Sequence, residues 1–145
     1  MACQAAEKAD IPVSVIDSKG PTMSLGWQVL AAARAHEEGP NRVAIFEKVA
    51  EVRSRLVQIV AMESLIYLQT GGRIGDAAKW VGTLLNVKPV VSINHEKGKV
   101  EPVGLARSHK AMVRMLYSKF FKEVSQEKGL RIAVLHGNAP EEAQK

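Results

Sequence analysis

Cysteine is almost absent: Cys3 stands alone in 145 residues, which rules out an internal disulfide and any multi-cysteine metal site. That usage suits a reducing compartment. The histidines are four, His36, His95, His109 and His136, with no His-Glu-x-x-His spacing and no cysteine partner. Each reads as a surface, cap or turn residue, and no cofactor or metal is expected. Aromatic residues make up 5% of the chain, too few for the stacking platforms of single-strand nucleic-acid binders. The formal charge is +5, but the basic residues are spread without a dense block. A solvated basic surface is therefore expected, and no nucleic-acid partner. No apolar run approaches the roughly 20 residues that cross a bilayer, so no stable membrane insertion is expected. The first residues carry no apolar stretch of signal-peptide length, which makes a cytoplasmic location the expectation. No P-loop, kinase-type metal cluster or nucleophile–base pair is recognisable, so the chain is read as a non-enzyme.

What is present is an ordinary globular composition, 46% hydrophobic and 24% charged, organised around the stretch from Leu65 to Pro89. A short helix there ends at Gly71-Gly72, residues that tolerate the left-handed conformation that stops a helix. Arg73 follows on the turn. A second helix is predicted from about Asp76, as N-cap, to Leu85, and Pro89 forces Lys88 to be extended. A guanidinium on a glycine corner beside a helix amino end can hold a carboxylate or phosphate. It can equally cap carbonyls or pair with a surface acid.

Before that corner, Met1 to Asp10 is mildly helical, and Ile11–Ile16 reads as a buried strand ending in the polar turn Asp17-Ser18-Lys19-Gly20-Pro21. In α/β proteins ligands bind at strand carboxyl ends, which makes Asp17 and Ser18 candidates; a local Asx- or Ser-type turn is the alternative. Helices are predicted over about 22–38 and from the Asn41 cap through Leu56, and a strand over 56–60. After Pro89, residues 90–93 and 99–103 read as a β-hairpin, 107–128 as a helix, and 130–135 as a last strand. Ala139-Pro140-Glu141-Glu142 opens a final helix. Both ends look cut through elements, and self-association through exposed broken edges is expected.

Val-Ile-Asp17-Ser18, then Leu-x-x-Leu-x-x-Gly-Gly-Arg-Ile, then Val81-Gly82-Thr83-Leu84-Leu85-Asn86-Val87-Lys88-Pro89, then Arg107-Ser108-His109-Lys110-Ala111, resembles the DegV family of bacterial fatty-acid-binding proteins. The resemblance runs from about residue 4 to residue 143. It implies an α/β fold: a partial two-domain DegV-like arrangement, with the remnant of a parallel-sheet domain (residues 1–55) followed by a truncated mixed α+β domain (56–145). It also implies a long-chain fatty acid held between the domains, its carboxylate presented to a separate fatty acid kinase catalytic subunit that makes acyl phosphate for phospholipid synthesis. On that reading Asp17, Ser18, Met23, Trp27, Gly72, Arg73 and Leu84 contact lipid, and Lys88 and Arg107 face the kinase subunit. Leu25, Leu65, Leu68 and Val81 are further candidates for the tunnel lining, with plain core packing the alternative for each. The family's Ser-Gly-Thr segment and its His-x-Gly-x-Gly turn have no counterpart in these residues, and His136 belongs to a different His-Gly turn. Half of a head-group site is therefore expected. Two other functions stay open: a truncated or split gene product without independent activity, and an enzyme acting on a small anionic substrate.

Overall fold

The computed structural model describes residues 1–39, 41–82, 87–124 and 129–144. At its centre lies a three-stranded antiparallel sheet in the order β1 (Ile59–Ala61), β2 (Lys88–Asn94), β3 (Lys99–Ala106). The hairpin between β2 and β3 closes as its sequence requires. Asn94 Oδ1 accepts from the backbone N–H groups of Glu96 and Lys97, and Gly98 takes the left-handed conformation at φ 67°. Pro102 cannot donate to the ladder; it lies on the edge strand beside a register shift between Val90 and Val91.

Adjacent β2 residues point to opposite faces, so Val90 and Val91 seed two cores. Val91 packs with Ala77 and Val100, joined by Leu65, Leu68, Ile74 and Trp80. Val90 packs with Ala106 and Met112. The first core is covered by α4 (Ile66–Thr70) and a 3₁₀ helix (Gly75–Trp80), the second by α5 (His109–Val124). Ahead of the sheet, α2 (Met23–Glu38) and α3 (Arg42–Ser54) pack together. Asn41 caps α3, its Oδ1 accepting from Val43 and Ala44 N–H at 3.0 and 3.3 Å. Short helices α1 (Ala2–Ala6) and α6 (Pro140–Ala143) flank the rest.

Several sequence expectations change. Residues 11–16 form neither helix nor strand, and Ile11 is 70% exposed. Residues 130–135 behave alike, with Val134 67% exposed. β-branched composition favours an extended backbone, but a strand exists only where a neighbour accepts its hydrogen bonds. The strand predicted over 56–60 shifts to Ile59–Ala61, where β2 supplies that partner. The helix expected from Asp76 is a 3₁₀ helix starting at Gly75, with Ile74 at the cap position and Asp76 inside the first turn. Its predicted second half, including Leu84, and the predicted end of α5 past Val124 lie outside the described residues. Among the described residues no helix is long and apolar enough to cross a membrane.

Candidate functional site

The Asp17–Pro21 turn is held by its own side chains and by three neighbouring elements. Asp17 Oδ1 accepts from Lys19 N–H at 2.9 Å, and Ser18 Oγ donates to the Gly20 carbonyl at 2.9 Å, so each side chain also shapes its own turn. Arg53 of α3 donates to the Asp17 carbonyl at 2.8 Å. Gln28 of α2 donates through one amide nitrogen to the carbonyls of Ser18 and Ser24, both at 2.9 Å. From the hairpin tip, the Glu96 carbonyl accepts from the Lys19 ammonium. Lys19 and Thr22 both sit at positive φ, 52° and 59°, a conformation that costs a non-glycine residue roughly 1–2 kcal/mol and persists where its surroundings impose it.

Beneath the turn lies His95, only 6% exposed, with neither ring nitrogen in hydrogen-bonding geometry with any described residue. Burial lowers its pKa below the usual histidine value, and the Lys19 backbone beside it offsets part of that shift. Gln28 and Gln58 each leave a buried amide oxygen without a partner among the described residues, although Gln58 also donates to Thr22 Oγ1 at 3.1 Å.

Two adjoining cavities lie near this turn, and the first borders it directly. A polar one of about 640 Å³ is lined by Lys19, Arg53, Gln58 and His95 together with Glu101 and Glu123. A second, of about 660 Å³, lies between α2, the end of α5 and residues 129–133, lined by Met23, Trp27, Phe120, Val124, Leu130 and Ile132, with Arg34 and Arg55 at its wall. They share Ser54, Leu56, Val57 and Glu123. Both volumes fall in the range of small-molecule sites.

Of the lipid-contact candidates, Met23 and Trp27 thus line one cavity, and the Asp17–Ser18 turn borders the other through Lys19. Leu65 and Leu68 belong to the core beneath the sheet, and Leu25 and Val81 are exposed. Gly72 and Arg73 stand at an exposed corner that borders neither cavity. Gly72 takes φ 64° just past the end of α4, as a helix stop requires, and Arg73 Nη1 donates to the Gly71 carbonyl at 3.1 Å. Lys88 and Arg107 come together because Lys88 pairs with Ala106 across the ladder. The Lys88 ammonium contacts the Glu63 carboxylate, and that hydrogen bond is the main reason the Glu63 pKa is lowered.

The sequence reading missed His95, Ser24, Gln28 and Gln58. His95 follows a turn-forming asparagine and has the sequence signature of an exposed tip. The one signal for its burial was Gly20, far away in the chain, whose bare Cα makes room for the ring.

Residues 1–145, the whole chain, match the DegV family, described as uncharacterised proteins. The chain belongs to the DegV family. A DegV domain-containing protein of Deinococcus radiodurans is 32% identical over 142 residues, covering 98% of this chain and 50% of the relative. A DegV family protein from Thermus thermophilus, described by its fatty acid binding, superposes with a TM-score of 0.74 at 32% identity, over 86% of this chain and 44% of that one. DegV of Bacillus subtilis, described as a fatty acid binding protein, gives a TM-score of 0.79 at 29% identity, over 99% and 51%. The α/β DegV fold is thus the fold of this chain, and the chain spans about half the length of the curated relatives it matches.

Proposed function

We propose that this DegV chain is part of a fatty-acid-binding protein that holds a long acyl chain and presents its carboxylate to a separate kinase subunit, with no chemistry of its own. The observation that carries the reading is the adjoining pair of cavities, one polar beside the Asp17–Ser18 turn, the other walled by Met23, Trp27, Phe120 and Val124. An amphipathic ligand matches that pairing. Burying its chain against Met23, Trp27, Phe120 and Val124 contributes about 0.8 kcal/mol per methylene, so those contacts dominate affinity and the polar end sets orientation. The fatty acid binding of the Thermus and Bacillus relatives supports the ligand class.

On this reading the Asp17–Ser18 turn orients the head group: the Ser18 hydroxyl, swung from the Gly20 carbonyl, is the side-chain donor that can meet a carboxylate, while Asp17, an acceptor, holds the turn through Lys19 N–H. Lys88, Arg107 and the Gly72–Arg73 corner serve the kinase-facing surface, where a planar guanidinium suits an acidic partner. The test is organic extraction of the purified chain followed by mass spectrometry. A stoichiometric long-chain fatty acid is expected; its absence, together with no uptake of added fatty acid, overturns the reading.

A second reading is that these residues bind only together with further polypeptide. The apolar runs at 11–16 and 130–135, exposed and outside any helix or strand, favour it. It predicts fatty acid uptake by a full-length relative and none by this chain.

A further inference from the structure

The β2–β3 hairpin tip and the Asp17–Pro21 turn are 77 residues apart in sequence at their Lys19–Glu96 bond, yet they fit together closely. A Cβ placed on Gly20 would lie 2.6 and 2.7 Å from Cε1 and Nδ1 of His95, and 2.4 Å from Ser24 Oγ. Only a glycine lets the imidazole approach this far. On the far side of the tip, a Cβ on Gly98 would meet Cβ and Cα of Lys19 at 3.5 and 3.6 Å. The tip therefore grips the turn at two glycines, with the Lys19–Glu96 hydrogen bond between them.

We propose that His95 is a positioning residue: its neutral ring wedges the hairpin tip against Gly20 and fixes the Asp17–Ser18 turn, and protonation of the ring releases that turn. The inference rests on the fatty acid reading only in assigning the turn to the ligand's head group.

Three observations carry it. His95 is buried and neither nitrogen is in hydrogen-bonding geometry among the described residues, so a protonated ring would hold two N–H donors and a charge with only the Lys19 backbone nearby to offset part of the cost. The backbone is strained at Lys19 within the turn and at Thr22 just after it, so the turn needs an external clamp and relaxes when the clamp opens. The charged groups around the cavity do not offset the added charge. Lys19 and Arg53 face it with hydrogen bonds to carbonyls rather than carboxylates. Of the acids, Glu123 is paired with Lys119 on α5, and Glu101 on β3 accepts from Asn94 and lies near Lys97. Glu96 engages Lys19 through its carbonyl.

The sign follows from burial. The docked ring has a lower pKa than a free one, so docking is fully favoured above about pH 6.5 and is lost as pH falls, by up to about tenfold per pH unit until the docked ring itself titrates.

Hydrogen–deuterium exchange of the segment spanning residues 17–20, corrected for intrinsic exchange, tests this at pH 7.5 and pH 5.5. Protection in the unmodified chain should fall by up to about tenfold at the lower pH. His95→Phe keeps a ring against Gly20 that cannot ionise, and should be protected equally at both. Gly20→Ala puts a methyl where the ring sits, and should lose protection at both while far-UV circular dichroism stays unchanged. Protection independent of pH in the unmodified chain, while NMR shows His95 titrating, overturns the proposal. So does an unchanged pH profile in His95→Phe. Fatty acid uptake measured on the same samples separates the two claims. Exchange as expected with no uptake at either pH refutes the fatty acid reading and leaves the clamp standing. Uptake without the exchange signature refutes the clamp alone.

Discussion

Gly72 and Gly75 offer a controlled comparison of backbone conformation against space. Both are left-handed, at φ 64° and 54°, three residues apart on the same corner. A Cβ on Gly72 would meet nothing within 4 Å. A Cβ on Gly75 would lie 2.5 Å from the carbonyl oxygen of Val100 and 2.9 Å from its nitrogen. Those are backbone atoms of β3 and cannot rotate away. Gly72→Ala should therefore cost only the left-handed penalty of roughly 1–2 kcal/mol, reduced by the stiffer unfolded chain. Gly75→Ala carries the same penalty and must also push the 3₁₀ helix off β3, loosening Ala77 from the Val91–Val100 core. Overpacking of that kind costs about 1–3 kcal/mol more. Urea unfolding followed by far-UV circular dichroism reads the difference, provided the slope of the transition is unchanged. Two variants destabilised equally, within about 0.5 kcal/mol, would refute the reasoning that close contact with β3 seats the Gly-Gly-Arg corner.

Two smaller perturbations test local claims. Asn41→Ala removes both capping acceptor contacts of α3 and should lower stability by about 1 kcal/mol in the same unfolding experiment. Lys88→Ala should let the Glu63 carboxyl return upward toward its ordinary pKa, followed by carboxyl carbon NMR. Because that carboxyl is depressed in the fold, its contribution is present above the ordinary value and lost as pH falls through the lowered one. Glu63 is exposed, so the melting temperature should barely move.

Features with local signals were legible from the residues alone. Asn41 marks the start of α3, Gly71-Gly72 the end of α4, and Asn94 with Gly98 the hairpin, because each is decided by a side chain or φ angle within a few residues. The DegV resemblance, carried by ordered motifs, is borne out by the family match and by the fold of the solved relatives. What escaped the reading depends on distant partners. Residues 11–16 and 130–135 have strand composition, but pairing is a property of two segments. His95 looks like any turn histidine until Gly20 is brought beneath it. Leu65 and Leu68 share the apolar chemistry of Met23 and Trp27. Only packing separates the first pair, in the sheet core, from the second, on a cavity wall.

The central claim, that the cavity beside α2 holds an acyl chain, is tested most directly through its own tryptophan. Trp27 lines the cavity, while Trp80 packs beneath the sheet. Replacing Trp80 with phenylalanine leaves Trp27 as the one tryptophan reporting. Titrating that variant with a long-chain fatty acid should give a saturable change in Trp27 emission at one ligand per chain. Emission that stays flat, with the fatty acid passing freely through ultrafiltration, would contradict the account.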